Sequence, residues 1–346
     1  MNFKKILEKN HIQASVPCRV DLGGTLDIST IYLPLHHLSP SSFNIALDLR
    51  TKVSLLPWEE GYVKVSSKGF ESAVFKNDEA PFNHPMGLMF ALANYFDAHG
   101  VHINIESSSP PRSALGGSSS AAVAIISAFY KTLDRKINPE QIAWLAHYIE
   151  SSVAGVPCGL QDQLAAAFGG VNQWIWKMGD RYPEFERIPV FENEADLKAF
   201  NSNILIAYCG IPHVSKDINK QWIESFVRGE TRLVFKKIVD LTKEFSKAVK
   251  SRNFRQAAKH MNQETKLRLE MTPDVLDKAG KKMFEKAISC DCGARFTGAG
   301  GGGCLWAIGE ARDIRTLKSF WQEILESIET AKILDTKIEN KGIIIC

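Results

Sequence analysis

Residues 110–122 read PPRSALGGSSSAA, and no other stretch constrains the fold so tightly. Two prolines, which no helix interior tolerates, precede a glycine pair and a triple serine. The serines then run into the apolar, helix-forming residues 121–133. Upstream, Val101, Ile103 and Ile105 alternate as a strand does; downstream, Ala122, Ile125, Ile126, Phe129 and Leu133 recur at helical spacing. The order is therefore strand, glycine-serine loop, helix N-terminus. The first N–H groups of such a helix have no partner within it and sit at the positive end of its dipole, which suits a phosphate. Gly116 and Gly117 let backbone approach an anion, and three hydroxyls add donors and a candidate metal ligand. The competing reading is a plain helix start with a serine as N-cap. No lysine follows the glycines and the G-x-G-x-x-G spacing is missing, so this is neither a Walker A loop nor a dinucleotide turn.

At 346 residues the chain is too long for one ordinary core, and two domains are the natural division. Charged residues at 23% and hydrophobic ones at 45% describe a soluble globular protein. A net charge of +3 is too weak to point to nucleic acid or a membrane surface. No apolar stretch approaches the ~20 residues that span a bilayer, and MNFKKILEKN has charges without the apolar run of a signal peptide. Seven cysteines, odd in number and without zinc-site spacing, read as reduced thiols of a cytoplasmic enzyme. Neither an internal repeat nor a low-complexity segment is present, which argues against solenoids and propellers.

Strands are expected over residues 14–22, 45–56, 62–65 and 101–106, and a helix over 86–98. Asn138 is an N-cap, Pro139 takes the first helical position, Gln141 completes a capping box, and that helix runs to about Ser152. A loop, VAGVPCG, leads to a short helix near 162–167. The polar stretch 177–203 holds the domain boundary, dividing the chain into 1–190 and 191–346. Beyond it come a strand at 203–208 and amphipathic helices across 218–269, broken near Gly229 and Ser251. Strands at 295–296 and 305–308 follow, with late strands in 333–345. Helices and strands mixed in both halves make the class α+β.

Three further constellations carry chemistry. Glu150 and the Gln161-Asp162-Gln163 segment flank a turn containing Gly155, Pro157 and Gly159 that brings two carboxylates toward one cleft. A kinase or hydrolase needs one carboxylate near the substrate hydroxyl and another for a divalent metal. By spacing alone Asp162 reads better as a helix N-cap and Glu150 as a solvated helix end. Residues 298–303 place five glycines in six positions between two strands, which favours backbone packed close to a ligand or loop over an ordinary hairpin. Residues 17–27, PCRVDLGGTLD, deliver Arg19 on a strand and then turn at Gly23 and Gly24, so that Asp27 is either an inward acceptor for a polyol or a turn residue.

Taken in order, these segments resemble the GHMP kinases, a family of small-molecule kinases. Residues 16–27 are similar to the family's N-terminal motif, 110–122 to its P-x-x-x-G-L-G-S-S-A-A loop, and 297–304 to its glycine-rich third motif. AGVPCGLQDQ followed by AAAFGG resembles the heptose-phosphate and fucose kinase branch. Gly24-Thr25-Leu26-Asp27 lacks the Glu-His pair of galactokinases, and residues 113–120 hold one residue more than the usual loop.

The resemblance implies a ribosomal protein S5 domain 2-like N-terminal domain and a ferredoxin-like C-terminal domain with the active site between them, as a monomer or homodimer. It implies ATP as donor with magnesium (Mg2+), and a sugar or sugar phosphate as acceptor at the anomeric hydroxyl. By motif position, Ser120 and Glu150 coordinate magnesium, Asp162 is the base, and Arg19 offsets charge on the moving phosphoryl group. Pro111, Leu115, Gly116, Gly117, Ser118, Ser119, Ser120 and Ala121 form the nucleotide loop, and Asp27 holds the sugar with Gly23 and Gly24 as its turn. His213, Ser215 and Lys216 are candidates for the pocket wall, with Lys216 or Arg112 as the partner of a distal phosphate. A mevalonate- or homoserine-type kinase and a non-catalytic sugar-binding relative are the alternatives.

Overall fold

The computed structural model describes residues 2–155, 157–180, 183–212 and 216–346. Among them, seven strands of the first half share one sheet: β1 (Ile12–Leu22), β2 (Ser41–Pro57), β3 (Tyr62–Ser67), β4 (Ala73–Lys76), β5 (Val101–Ser107), β6 (Val171–Met178) and β7 (Pro183–Pro189). A second sheet of four holds β8 (Ile204–Tyr208), β9 (Gly293–Phe296), β10 (Cys304–Ile308) and β11 (Lys332–Ile333) in the order β11-β8-β10-β9, all antiparallel. The last strand, β12 (Ile344–Ile345), returns to the first sheet and pairs with β1, so that sheet has eight strands. The strand order is β12-β1-β2-β5-β3-β4, with the β6–β7 hairpin attached to the N-terminal part of β2.

Six helices belong to the first half: α1 (Phe3–Leu7), α2 (Ser29–Tyr32), α3 (Gly87–Tyr95), α4 (Gly117–Thr132), α5 (Pro139–Ala154) and α6 (Gln161–Phe168). Six follow: α7 (Glu194–Phe200), α8 (Lys216–Val227), α9 (Arg232–Lys250), α10 (Phe254–Met271), α11 (Lys278–Ser289) and α12 (Ala311–Leu325). Mixed α+β is the observed class. The breaks expected near Gly229 and Ser251 fall between α8, α9 and α10. Asn138 caps α5, its Oδ1 accepting from the N–H groups of Glu140 and Gln141 at 3.1 and 3.2 Å. The polar stretch 177–203 holds β7 and α7, which alternation and capping at Asn193 shape despite its charge.

α4 is buried on nearly every side from Ser119 to Phe129, because alanines alternate with Val123, Ile125 and Ile126 rather than with charges. It lies against β1 and β2, and its N-terminus opens at the junction of the two halves. A second apolar cluster joins those halves: Phe43 of β2 meets Phe245 of α9 with ring centroids 5.0 Å apart, and Phe245 meets Trp306 of β10 at 6.2 Å. Each such aromatic contributes about 2–3 kcal/mol by burial. The C-terminal segment is fastened to the first sheet. Arg50 donates to the carbonyls of Lys341 and Gly342 at 2.9 and 2.6 Å, and the Ile343 N–H donates to Ala167 at the end of α6. No helix among the described residues is long and apolar enough to cross a membrane.

Candidate active site

Pro17 cannot donate to the β1–β2 ladder, and the register shifts between Pro17 and Cys18. Two residues on, Arg19 is 4% exposed and its guanidinium forks onto Asp162, with Nε donating to Oδ1 at 2.7 Å and Nη2 to Oδ2 at 2.6 Å. Nη1 donates to the Ala114 carbonyl at 2.7 Å, so the same side chain ties β1, the loop before α4 and the first turn of α6. Burial works against the Arg19 charge, but the carboxylates of Asp162 and Asp21 outweigh it and raise its pKa.

Asp162 is not an N-cap: Leu160 holds that position, and Asp162 lies in the first turn of α6 facing a cleft of about 1140 Å³. Across it, Asp27 is buried and accepts from the Gln161 N–H at 3.0 Å. Desolvation raises the Asp27 carboxyl to about 7, helped by the neighbouring charges of Asp162 and Asp21 and opposed by that N–H. Gly159 approaches so closely that a Cβ there would lie 1.6 Å from Asp27 Oδ2. Asp27 is therefore no surface turn residue.

The N-terminus of α4 has Gly116 at its cap in the left-handed region (φ +76°) with no side-chain cap bond. A capping serine is thus excluded, and the first N–H groups face the cleft without a side-chain acceptor. Ser118 and Ser119 donate to Glu150 Oε1 and Oε2 at 2.9 and 2.8 Å, and Gln163 Nε2 donates to Oε2 at 2.7 Å. Glu150 is a partly buried member of α5 rather than a solvated helix end. Burial raises its pKa, against the hydroxyls of Ser119 and Ser118.

Three expected site residues are placed elsewhere. Ser120 is 1% exposed and donates to the Pro17 carbonyl of β1 at 3.1 Å, while Ser118 and Ser119 are the hydroxyls on Glu150. Leu115 packs in the apolar cluster between the halves and does not line the cleft. Gly23 turns against α9, where a Cβ would meet Thr242 at 2.7 Å, and only Gly24 of the pair reaches the cleft. Pro111, Gly116, Gly117, Ser118, Ser119 and Ala121 do line it, as does Arg112. His213, Ser215 and the side chain of Lys216 lie outside the described residues.

The glycine run 298–303 packs against the nucleotide-type loop. Cys304 N–H donates to the Ser113 carbonyl at 2.9 Å, and a Cβ on Gly303 would meet that oxygen at 2.7 Å. One network escaped the sequence reading. Asp21, Glu264, Arg268 and Arg295 are all fully buried. Arg295 and Arg268 donate to the two oxygens of Glu264 at 2.9 and 2.8 Å, Arg268 to the Gly24 carbonyl at 2.7 Å, and Gly298 N–H to Asp21 at 2.7 Å. The i, i+4 pair Glu264–Arg268 was its one visible trace, and on a polar helix such pairs are usually solvated.

The chemistry on offer is a carboxylate in a guanidinium fork, an open helix N-terminus and a hydroxyl-carboxylate cluster of hard oxygens. The GHMP kinases N terminal domain matches residues 83–170 and the GHMP kinases C terminal domain matches 245–327. A mevalonate kinase of Pyrococcus abyssi is 28% identical over 334 residues, covering 88% of this chain and 91% of that kinase. A D-glycero-alpha-D-manno-heptose 7-phosphate kinase of Campylobacter jejuni is 29% identical over 170 residues, 46% of this chain and 49% of its own length. The galactokinase of Lactococcus lactis, solved with galactose, superposes with a TM-score of 0.75 over 99% of this chain and 97% of its own, at 18% identity.

Proposed function

Because this chain belongs to the GHMP kinases, a two-domain family of phosphotransferases that use ATP on alcohol acceptors, we propose that it phosphorylates a sugar or sugar phosphate at the anomeric hydroxyl. The observation that carries the reading is the Arg19–Asp162 fork, set in one cleft with the open N-terminus of α4 and with Asp27. Asp162 takes the proton from the acceptor hydroxyl. The freed oxygen bonds to the γ-phosphorus, the bond from that phosphorus to the β-phosphate oxygen breaks, and ADP leaves. Arg19 offsets charge on the transferred group, and the N–H groups of Gly117, Ser118 and Ser119 receive the phosphates.

The apolar end of the cleft, with Phe70, Met86 and Met89, takes the base. The hard oxygens of Ser119 and Glu150, with Ser118 beside them, suit magnesium, and no cluster of three His, Cys, Asp or Glu occurs among the described residues. Phosphate and water would thus complete the shell. Bound there, the ion would neutralise developing phosphate charge. We assign these groups to residues 1–190, with 191–346 closing the cleft.

Asp27 supports a sugar over an acid. A buried carboxyl offers hydrogen-bond partners to hydroxyls, and the Asp162 carboxylate in the same cleft disfavours a substrate carboxylate. A mevalonate-type kinase is the second reading, favoured by similarity along 88% of the chain. The test is ADP release with ATP and magnesium from D-galactose, L-fucose, D-mannose, D-glycero-D-manno-heptose 7-phosphate and mevalonate. Turnover of a sugar well above mevalonate supports the proposal, preference for mevalonate overturns it, and no turnover at all points to a non-catalytic relative.

A further inference from the structure

Gln161 precedes Asp162 on α6 and is 4% exposed on the cleft wall. Its backbone is held from both sides: the N–H donates to Asp27 Oδ2 at 3.0 Å and the carbonyl accepts from Asn44 Nδ2 at 3.2 Å. Its side-chain amide is not. Oε1 is buried and has no partner among the described residues. Gly24 makes room for this amide, since a Cβ there would lie 3.2 Å from Nε2. Gln163, two residues on, also leaves Oε1 without a partner, but its Nε2 is committed to Glu150 at 2.7 Å. A buried amide oxygen without a partner is costly, and on a cleft wall a ligand that completes it is a reason to retain it.

We propose that Gln161 reads the hydroxyl next to the one phosphorylated, so that the acceptor is an adjacent diol with the C2 hydroxyl as its second member; this rests on the sugar reading above. An amide offers one donor end and one acceptor end, and a hydroxyl both donates and accepts. A carboxylate or phosphate only accepts, and it meets Asp27 and Asp162 here. Successive helix residues point about 100° apart. With Asp162 addressing the reacting oxygen, its predecessor addresses the neighbour, while Asp27 fixes the backbone of Gln161.

The test compares kcat/KM for D-galactose, L-fucose, D-mannose and D-glycero-D-manno-heptose 7-phosphate, each beside its 2-deoxy counterpart, in the parent and in Gln161→Met and Gln161→Glu. The parent should lose ~10–100-fold on the 2-deoxy form of its substrate, because the site's amide is then left unpaired. In Gln161→Met that preference should fall to within ~3-fold, through a raised KM for the hydroxylated sugar. Gln161→Glu, which keeps an acceptor and drops the donor, should fall between. The sugar-free melting temperature of Gln161→Met should equal or exceed the parent's, since the amide oxygen has no partner to lose among the described residues. A parent indifferent to the 2-hydroxyl, a full preference surviving in Gln161→Met, or unfolding of both variants overturns the inference while sugar turnover by the parent stands. Turnover of mevalonate alone removes the sugar reading, and this one with it.

Discussion

Gly159→Ala probes the role of Asp27 without replacing any charged residue. The new Cβ would sit 1.6 Å from Asp27 Oδ2, 2.0 Å from Cγ and 2.4 Å from Oδ1. Ordinary carbon contacts begin near 3.5 Å, so one side must retreat by about 2 Å. Gly159 is not in the left-handed region, so alanine carries no backbone penalty and the cost falls on that contact. If Asp27 retreats, its bond to the Gln161 N–H at 3.0 Å is lost, at about 0.5–1.5 kcal/mol with the carboxyl neutral and more with it ionised. Misplacement by ~1 Å near the reacting centre alone costs ~10²-fold. The expected outcome is a drop of ~10²–10³ in kcat/KM for the sugar, carried mainly by KM. ATP affinity should stay within a few-fold, because the Ser118–Ser119 loop lies on another wall. Steady-state ADP release at saturating ATP reads the first, and calorimetric titration with a non-hydrolysable ATP analogue reads the second. A sugar KM within threefold of the parent would refute the reasoning. In the double variant with Asp27→Ala, melting temperature should recover and activity should not.

Asp162→Asn should lower kcat by ~10²–10⁴-fold with sugar binding still measurable by titration; turnover within a few-fold of the parent would reduce Asp162 to a partner of Arg19. Ser119→Ala and Glu150→Ala should raise the magnesium concentration needed for half activity, whereas Ser120→Ala should cost about 1 kcal/mol of stability and leave that requirement alone; the opposite pattern would restore Ser120 as the ligand. Asp27 has a carboxyl raised from its ordinary 3.8 to about 7, so the folded state binds the extra proton and stability falls as pH rises between those values. The slope is at most ~1.4 kcal/mol per pH unit, and denaturant melts of Asp27→Asn should show it gone. Glu264→Gln should destabilise by about 3–5 kcal/mol, because two fully buried guanidinium groups lose their shared counter-charge; a loss under 1 kcal/mol would show the network to be dispensable.

The elements around the site were legible where pattern and punctuation agreed. Strand alternation at Val101–Ile105, the Asn138-Pro139 cap and the break at Gly229 each have a local cause, and each appears where that cause lies. The open cleft end of α4 was legible too, from Gly116 and the serine run. Which serine faces Glu150 was not, because successive serines on a helix point about 100° apart and only tertiary contacts, such as Ser120 on Pro17, show the phase. The ion network was hidden for a similar reason. Glu264 and Arg268 sit on a helix rich in polar residues, and Asp21 and Arg295 are 274 positions apart, so nothing local marks them as buried. Gln161 gave no signal beyond its neighbour Asp162, since a lone glutamine at a helix start is ordinary and its missing partner is visible only in three dimensions.

The pairing of β12 with β1 has a consequence for how the enzyme comes into being. The strand that carries Arg19 is made long before the strand that flanks it. Until residues 339–345 leave the ribosome, β1 offers an unpaired edge, the Arg50 fork has no carbonyls to hold, and the end of α6 beyond Asp162 stays uncovered. The first sheet thus waits for the rest of the polypeptide, and a nascent chain halted at the domain junction would display a sticky strand rather than a finished half.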